Sequence, residues 1–176
     1  MNLMQMRTAD RIKTDLAVVN KQITGDPIVT NAQAQEWCKT DANLTSLIAF
    51  VSDYAERETG MAFRAQTVTA VYLSCDKIFD LPIRGALAIS SITDKDGNVI
   101  SATDYELVGN TVLLREPRAD KTTIVYTAQF QSDAVELAIL KLTLSHFEDR
   151  QDNVIGSSVQ EMKNSSKAIL RPFMRY

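Results

Sequence analysis

The chain contains one histidine, His146, and two cysteines, Cys38 and Cys75, which lie far apart and lack metal-ligand spacing. A Cys/His zinc centre needs about four such ligands, so it is excluded. The thiols read as free groups in a reducing compartment, with a disulfide between them as the alternative. No apolar run approaches the ~20 residues of a membrane helix. The opening MNLMQMR has no apolar core of signal-peptide length. Both absences imply cytosol-like conditions. Gly-x-Ser-x-Gly, Walker-type and Gly-x-Gly-x-x-Gly motifs are missing, as are internal repeats and low-complexity tracts. Motif-borne acyl transfer and nucleotide chemistry therefore have no anchor here. An excess of positive charge is missing too. The net charge of −3 argues against a dedicated nucleic-acid binder, which would show a basic face.

What is present suits one domain with a real core: 176 residues, 45% of them hydrophobic and 23% charged. The charge is uneven. From Gly156 onward four basic residues (Lys163, Lys167, Arg171, Arg175) face one acid, Glu161, leaving −6 on the rest of the chain. An acidic body with a basic tail is a polarity suited to orienting a subunit on a partner.

Residues 1–26 are weakly patterned; Ile12, Leu16, Val18 and Val19 fit either a short strand or a helical turn. Thr24-Gly25-Asp26-Pro27 is a break. Thr30 with Gln33 has capping-box form and predicts a short helix with Ala34, Trp37 and Cys38 on one face. A second helix is predicted from Asp41 to Thr59, with Leu44, Leu47, Ile48, Val51, Tyr54 and Ala55 at helical spacing and Gly60 as its C-cap. Strands follow at Thr67–Leu73, at Lys77–Leu81 returning through a turn at Cys75-Asp76, and at Leu87–Thr93. Asp96-Gly97 marks a hairpin turn with Val99–Ser101 coming back. Tyr105–Val108 and Thr111–Leu114 form another hairpin around Gly109-Asn110, and Thr122–Tyr126 is the last strand.

Asp133 to Arg150 predicts a long helix that is apolar over most of its circumference. Leu137, Leu140, Leu144 and Phe147 make one stripe; Val135, Ala138, Ile139 and Leu142 make another. A surface helix needs one stripe, so this helix should pack on more than one side, against both the second helix and the β-rich middle. Asp133 is the expected N-cap, with Glu136 in the capping-box position. Gly156-Ser157-Ser158 forms a link to the C-terminal segment. The fold class is α+β: two N-terminal helices, a small antiparallel β-rich middle, one long buried helix and a C-terminal docking arm.

Few residues invite chemistry. Asp94, Asp96 and Asn98 look like a calcium loop, but Val99 stands where glycine is required and Tyr105 where glutamate is. His146 beside Glu148 and Asp149 has the elements of a general base with an orienting carboxylate, without any accompanying nucleophile motif. Near a helix C-terminus a histidine also suits the dipole. Glu148, Asp149 and Arg150 form either a solvated helix end or one side of an inter-subunit ion-pair set. In the tail, Lys163, Lys167, Arg171 and Arg175 recur every four residues, interleaved with Met162, Ile169, Phe173 and Tyr176. Pro172 limits regular helix to the first half. The tail is either a terminal helix packed on its own domain or a docking arm ordered by an acidic, partly apolar groove.

In this order the motifs resemble the head–tail connector (adaptor, or head-completion) proteins of tailed bacteriophages, from about Ile28 to Tyr176. The matching features are the Thr-capped helix at Thr30, the helix ending Thr59-Gly60, Leu81-Pro82, Ile89-Ser90-Ser91-Ile92, the Asp96-Gly97 hairpin, Tyr105, and Gly109 to Leu113. Ile124 to Ala128, Phe147-Glu148-Asp149-Arg150 and Leu170-Arg171-Pro172-Phe173-Met174-Arg175 complete the match. Ala128-Gln129-Phe130 replaces the family's Ala-Gly-aromatic.

The resemblance implies residues 1–27 as an N-terminal extension, 28–152 as an α+β adaptor domain and 153–176 as linker and C-terminal arm. It implies a ring of copies, commonly twelve, under the portal protein of a filled capsid. That ring extends the DNA channel and offers a platform to the next neck, stopper or tail protein. Carried over, the portal contact falls on Ile169, Leu170, Arg171, Phe173 and Arg175, with the basic Lys163 and Lys167 also meeting acidic portal surface; in such a ring the charged set Glu148, Asp149 and Arg150 is the expected inter-subunit contact. The expected location is the virion at the head–tail junction, after assembly in the host cytoplasm. No cofactor, metal, membrane or catalytic residue is implied. An acidic body suits a lumen through which double-stranded DNA slides without sticking. A tail-completion or stopper protein is the alternative within the neck; a small cytosolic enzyme using His146 is the alternative outside it.

Overall fold

The computed structural model describes residues 16–73, 76–117, 120–152 and 169–174, with the side chains of residues 149–152 outside that description. Among the described residues it is an α+β fold in which α-helices and two antiparallel sheets build two adjoining cores.

Helix α1 (Asn31–Cys38) starts at the expected capping box: Thr30 Oγ1 accepts from the Gln33 amide, and Gln33 Oε1 accepts from the Thr30 amide at 2.8 Å. Ala34 and Cys38 turn inward, but Trp37 does not; it remains 40% exposed. Helix α2 (Thr45–Thr59) begins four residues later than the apolar spacing suggests. Side chains hold the preceding residues out of the helix, with Asn31 Oδ1 accepting from the Leu44 amide and Asn43 Oδ1 from the Thr45 amide. It ends at Gly60, whose φ of 66° is the left-handed geometry glycine supplies without a Cβ penalty.

Residues Leu16–Ile23, undecided in the sequence, form strand β1, which pairs antiparallel along β2 (Gln66–Tyr72). Between the first strand and the helices, the chain passes so close to Ala65 that a Cβ on Gly25 would meet the Ala65 Cβ at 2.6 Å. Strands β4 (Ala86–Thr93) and β7 (Thr122–Ala128) complete a four-stranded sheet in the order β1-β2-β7-β4. β2 and β7 alternate strictly between buried and half-buried residues, the pattern of strands with one covered face.

The cover is a three-stranded sheet, β3 (Ile78–Asp80), β6 (Thr111–Leu114) and β5 (Tyr105–Val108), in the order β3-β6-β5. The expected β5–β6 hairpin is present. The segment expected to return on β2 instead pairs with β6, placing Phe79 opposite Val112 with both side chains fully buried. Val99–Ser101 is not a strand; it returns only as a bridge from Val99 to Thr93 and a bond from the Ile100 amide to Ile92 O. The Asp94 carboxylate is spent inside that turn, accepting from the Asp96 and Asn98 amides at 2.9 Å each.

Helix α3 spans Asp133–Asp152. Its N-cap is Ser132, one residue before the expected Asp133: Ser132 Oγ accepts from the Val135 amide at 3.3 Å. Glu136 is thereby freed from a capping role and accepts from Gln33 Nε2 of α1 at 2.7 Å. Val135, Ala138, Ile139 and Leu142 are fully buried, in one core with Val29 and residues of α1 and α2. None of the helix's buried apolar side chains belongs to the core between the sheets, so the expected packing on the β-rich middle is not what buries it. The other stripe is only partly covered: Leu140, Leu144 and Phe147 are half-buried and Leu137 is 36% exposed.

Candidate assembly surfaces

The end of α2 and the start of β2 are fastened by charge. Glu56 lies on the buried stripe of α2, beside Ser52 and Thr59. Its Oε1 accepts from the Phe63 and Arg64 amides at 3.2 and 3.0 Å, and its Oε2 receives Arg64 Nη2 at 2.7 Å. Asp53 takes the same Arg64 nitrogen, and Lys21 of β1 reaches Glu56 at 3.6 Å. Burial works to lower the Arg64 pKa, but the bonds to Glu56 and Asp53 outweigh it and hold it above its ordinary value. This clamp was missed in the sequence. Its signal was a glutamate at a position that helical spacing assigns to the core.

The segment expected to dock elsewhere returns, in its described part, to the body of the molecule. Ile169 and Leu170 are helical, and Arg171–Phe173 form a 3-10 turn. Leu170 is 1% exposed and belongs to the helical core, with Ile169, Phe173 and Met174 packed against it. The Phe173 ring lies 5.5 Å from that of Phe130. Arg84 donates from Nη2 both to Thr59 O, at 2.6 Å, and to Phe173 O. Arg171 is exposed. Lys163, Lys167 and Arg175 lie outside the described residues.

At the other end of α3, His146 is half-buried, its ring set edge-on to Phe50 with centroids 5.5 Å apart. No hydrogen bond joins it to Glu148. Glu148 is exposed; the side chains of Asp149 and Arg150 lie outside the described residues, although both are on the helix. Among the described residues no group of three or more His, Cys, Asp or Glu side chains is placed to hold a metal ion, and no helix is long and apolar enough to cross a membrane.

Two stretches of apolar surface are exposed among the described residues, besides scattered single side chains. One is a groove of about 600 Å³ between α1 and α3, lined by Gln33, Glu36, Trp37, Lys39, Leu140 and Leu144. The other is β1, whose eight residues are all exposed, Leu16, Val18, Val19 and Ile23 by 39–55%.

No protein-family model and no curated protein matches this sequence. Solved structures do. A chain from the virion of a native gene transfer agent particle superposes with a TM-score of 0.72 at 13% identity, over 91% of this chain and 96% of that one. Chains from the neck of the empty particle, computed with C6 symmetry, and of the native particle, computed with C12 symmetry, give 0.71 at 14% and 0.70 at 15% with the same coverage. The fold is that of a gene transfer agent neck chain. Coverage of nine-tenths means that the likeness is not confined to one layer. The molecule also offers exposed apolar surface on a helical groove and on a strand.

Proposed function

We propose that this protein is a structural head–tail connector of a phage-like particle: copies form a ring under the portal protein, extend the DNA channel and present a platform to the next neck or tail protein. One observation carries this reading, the shared fold with chains of a symmetric particle neck over nearly the whole length of both. The open apolar surfaces of the groove and of β1 support it, because a monomer seldom leaves such patches uncovered. The virion is then its location and enzymatic work is not its role. The described neighbour of the His146 ring is the Phe50 ring rather than a carboxylate, which favours this reading over an enzymatic one.

Within this reading the basic residues Lys163, Lys167, Arg171 and Arg175 contact the portal protein, and Glu148, Asp149 and Arg150 face the neighbouring copy. Ile169, Leu170 and Phe173 contribute to docking by holding the segment in place, since Leu170 is already buried in its own domain. The decisive experiment is native mass spectrometry and negative-stain imaging of the purified chain, alone and with the portal protein of the same particle. Rings seated on portal are expected. A chain that never associates with portal and is absent from purified particles would sink the proposal.

A further inference from the structure

We propose that successive copies of this chain meet with strand β1 of one copy seated in the α1–α3 groove of the next. The inference rests on the ring reading above and names the faces that make the ring.

Directly paired residues of an antiparallel ladder put their side chains on the same face. Val19 pairs with Ala70, Lys21 with Val68 and Ile23 with Gln66. The β2 partners are all buried. The β1 residues therefore continue the inner face of the sheet past the point where the three-stranded sheet stops covering it. Leu16, paired with Tyr72 across a bulge, extends the same row. Three aliphatic side chains, each about two-fifths exposed, thus stand in line with one cation between them.

The two edges of this sheet are not alike. β4 is irregular at two places and is bridged at Thr93 by Val99. β1 runs in unbroken register from Val18 to Ile23, with no described strand beyond it. Bulges and coverage blunt an edge; a regular apolar edge invites a partner.

The groove is the counterpart. Trp37, Leu140 and Leu144 supply its apolar lining, Glu36 stands exposed beside Trp37, and Glu148 follows Leu144 by one turn of α3. The aliphatic row matches the groove's apolar lining, and Glu36 and Glu148 at its border outnumber Lys39, giving the groove the sign opposite to Lys21, which is 43% exposed beside Glu56 of its own chain. Because the two faces differ, their contact is heterologous, and a heterologous contact whose rotation closes generates a ring. A two-fold contact would use one face twice.

The test uses two full-length variants at exposed positions, Val19→Asp and Trp37→Asp, each checked by thermal melting against the native chain. Each alone should remain monomeric under conditions where the native chain forms rings, by native mass spectrometry. Mixed in equal amounts they should form 1:1 heterodimers that grow no further, since each keeps the face the other has lost. Loss of assembly in Val19→Asp alone would mean that β1 pairs with its own counterpart, and loss in Trp37→Asp alone that the groove receives something else. A mixture that stays monomeric would mean that the two faces do not meet. Any of these overturns the proposal while the ring reading stands, as does normal assembly of both variants. A native chain that forms no oligomer, alone or with portal, removes the ring reading and this inference together.

Discussion

Glu56 closes the junction between α2 and β2 because one carboxylate satisfies two backbone amides and a buried guanidinium at once. Removing one member of such a set leaves the other charge buried and uncompensated. Glu56→Ala is therefore expected to cost about 3–5 kcal/mol in urea denaturation. Lys21→Ala, which removes a half-exposed partner, should cost no more than about 1 kcal/mol. Equal losses in the two variants would mean that Arg64 does not depend on Glu56. Cys38 is the other residue whose environment has a measurable signature. Burial, and secondarily the charge of Glu148, push its thiol above the ordinary cysteine range. The unfolded chain then ionises first as pH rises. The Cys38 contribution to stability is full below the ordinary thiol pKa and is lost as pH climbs through the raised one. In a Cys75→Ser background, thiol labelling of the native chain should stay slow through neutral pH, and the melting temperature should fall in alkali more steeply than in a Cys38→Ala variant. Fast labelling of the native chain at neutral pH would contradict the buried placement.

Among the elements, the turn at Ile169–Met174 behaves as core. Leu170→Ala should destabilise by about 2–5 kcal/mol, the range for truncating a buried leucine, read as a shift in the urea midpoint. A change within error would mean that the turn is not seated against Phe130 and the helical core. The local patterns of the helices were legible in the sequence because they depend on neighbours in the chain. The Thr30–Gln33 box, the Gly60 cap and the two stripes of α3 are all such signals. Which stripe of α3 faces inward was not legible, because apolar spacing is the same for a covered and an open face. The choice was made by α1 and α2, which cover Val135, Ala138, Ile139 and Leu142 and leave Leu137 out. The Ser132 cap lay one residue from an equally good candidate, and both satisfy the same rule. The pairing of β3 with β6 was illegible for a different reason: a three-residue strand fits several partners, and the burial of Phe79 against Val112 decides among them. The assembly surfaces were read only in part. The basic tail was evident as a charge pattern; the groove was not, because it needs Trp37 and Leu144 from segments a hundred residues apart to be side by side.

For the molecule as a whole, an acidic body joined to a basic C-terminal stretch would make the proposed portal docking salt-dependent. Charge reversal at Lys163, Lys167, Arg171 and Arg175 should weaken portal binding more at low ionic strength than at high, since salt already screens such contacts. An affinity unchanged in titration calorimetry at low salt would remove the electrostatic part of the proposed docking. The strand order of the larger sheet has a consequence of another kind. Its central pair, β2 and β7, joins residues 66–72 to residues 122–128, and the whole covering sheet is threaded in the chain between them. That pair cannot zip outward from a tight turn. Its two halves must first be brought together by closing a loop of some fifty residues, and only then do the ladder bonds form. Such non-local closure slows folding. During that interval β1, which among the described strands has only β2 to lie against, is bound to a strand whose other edge is still open. In a crowded pool of newly made copies, the strand proposed to join finished subunits is therefore also the one most exposed to premature association.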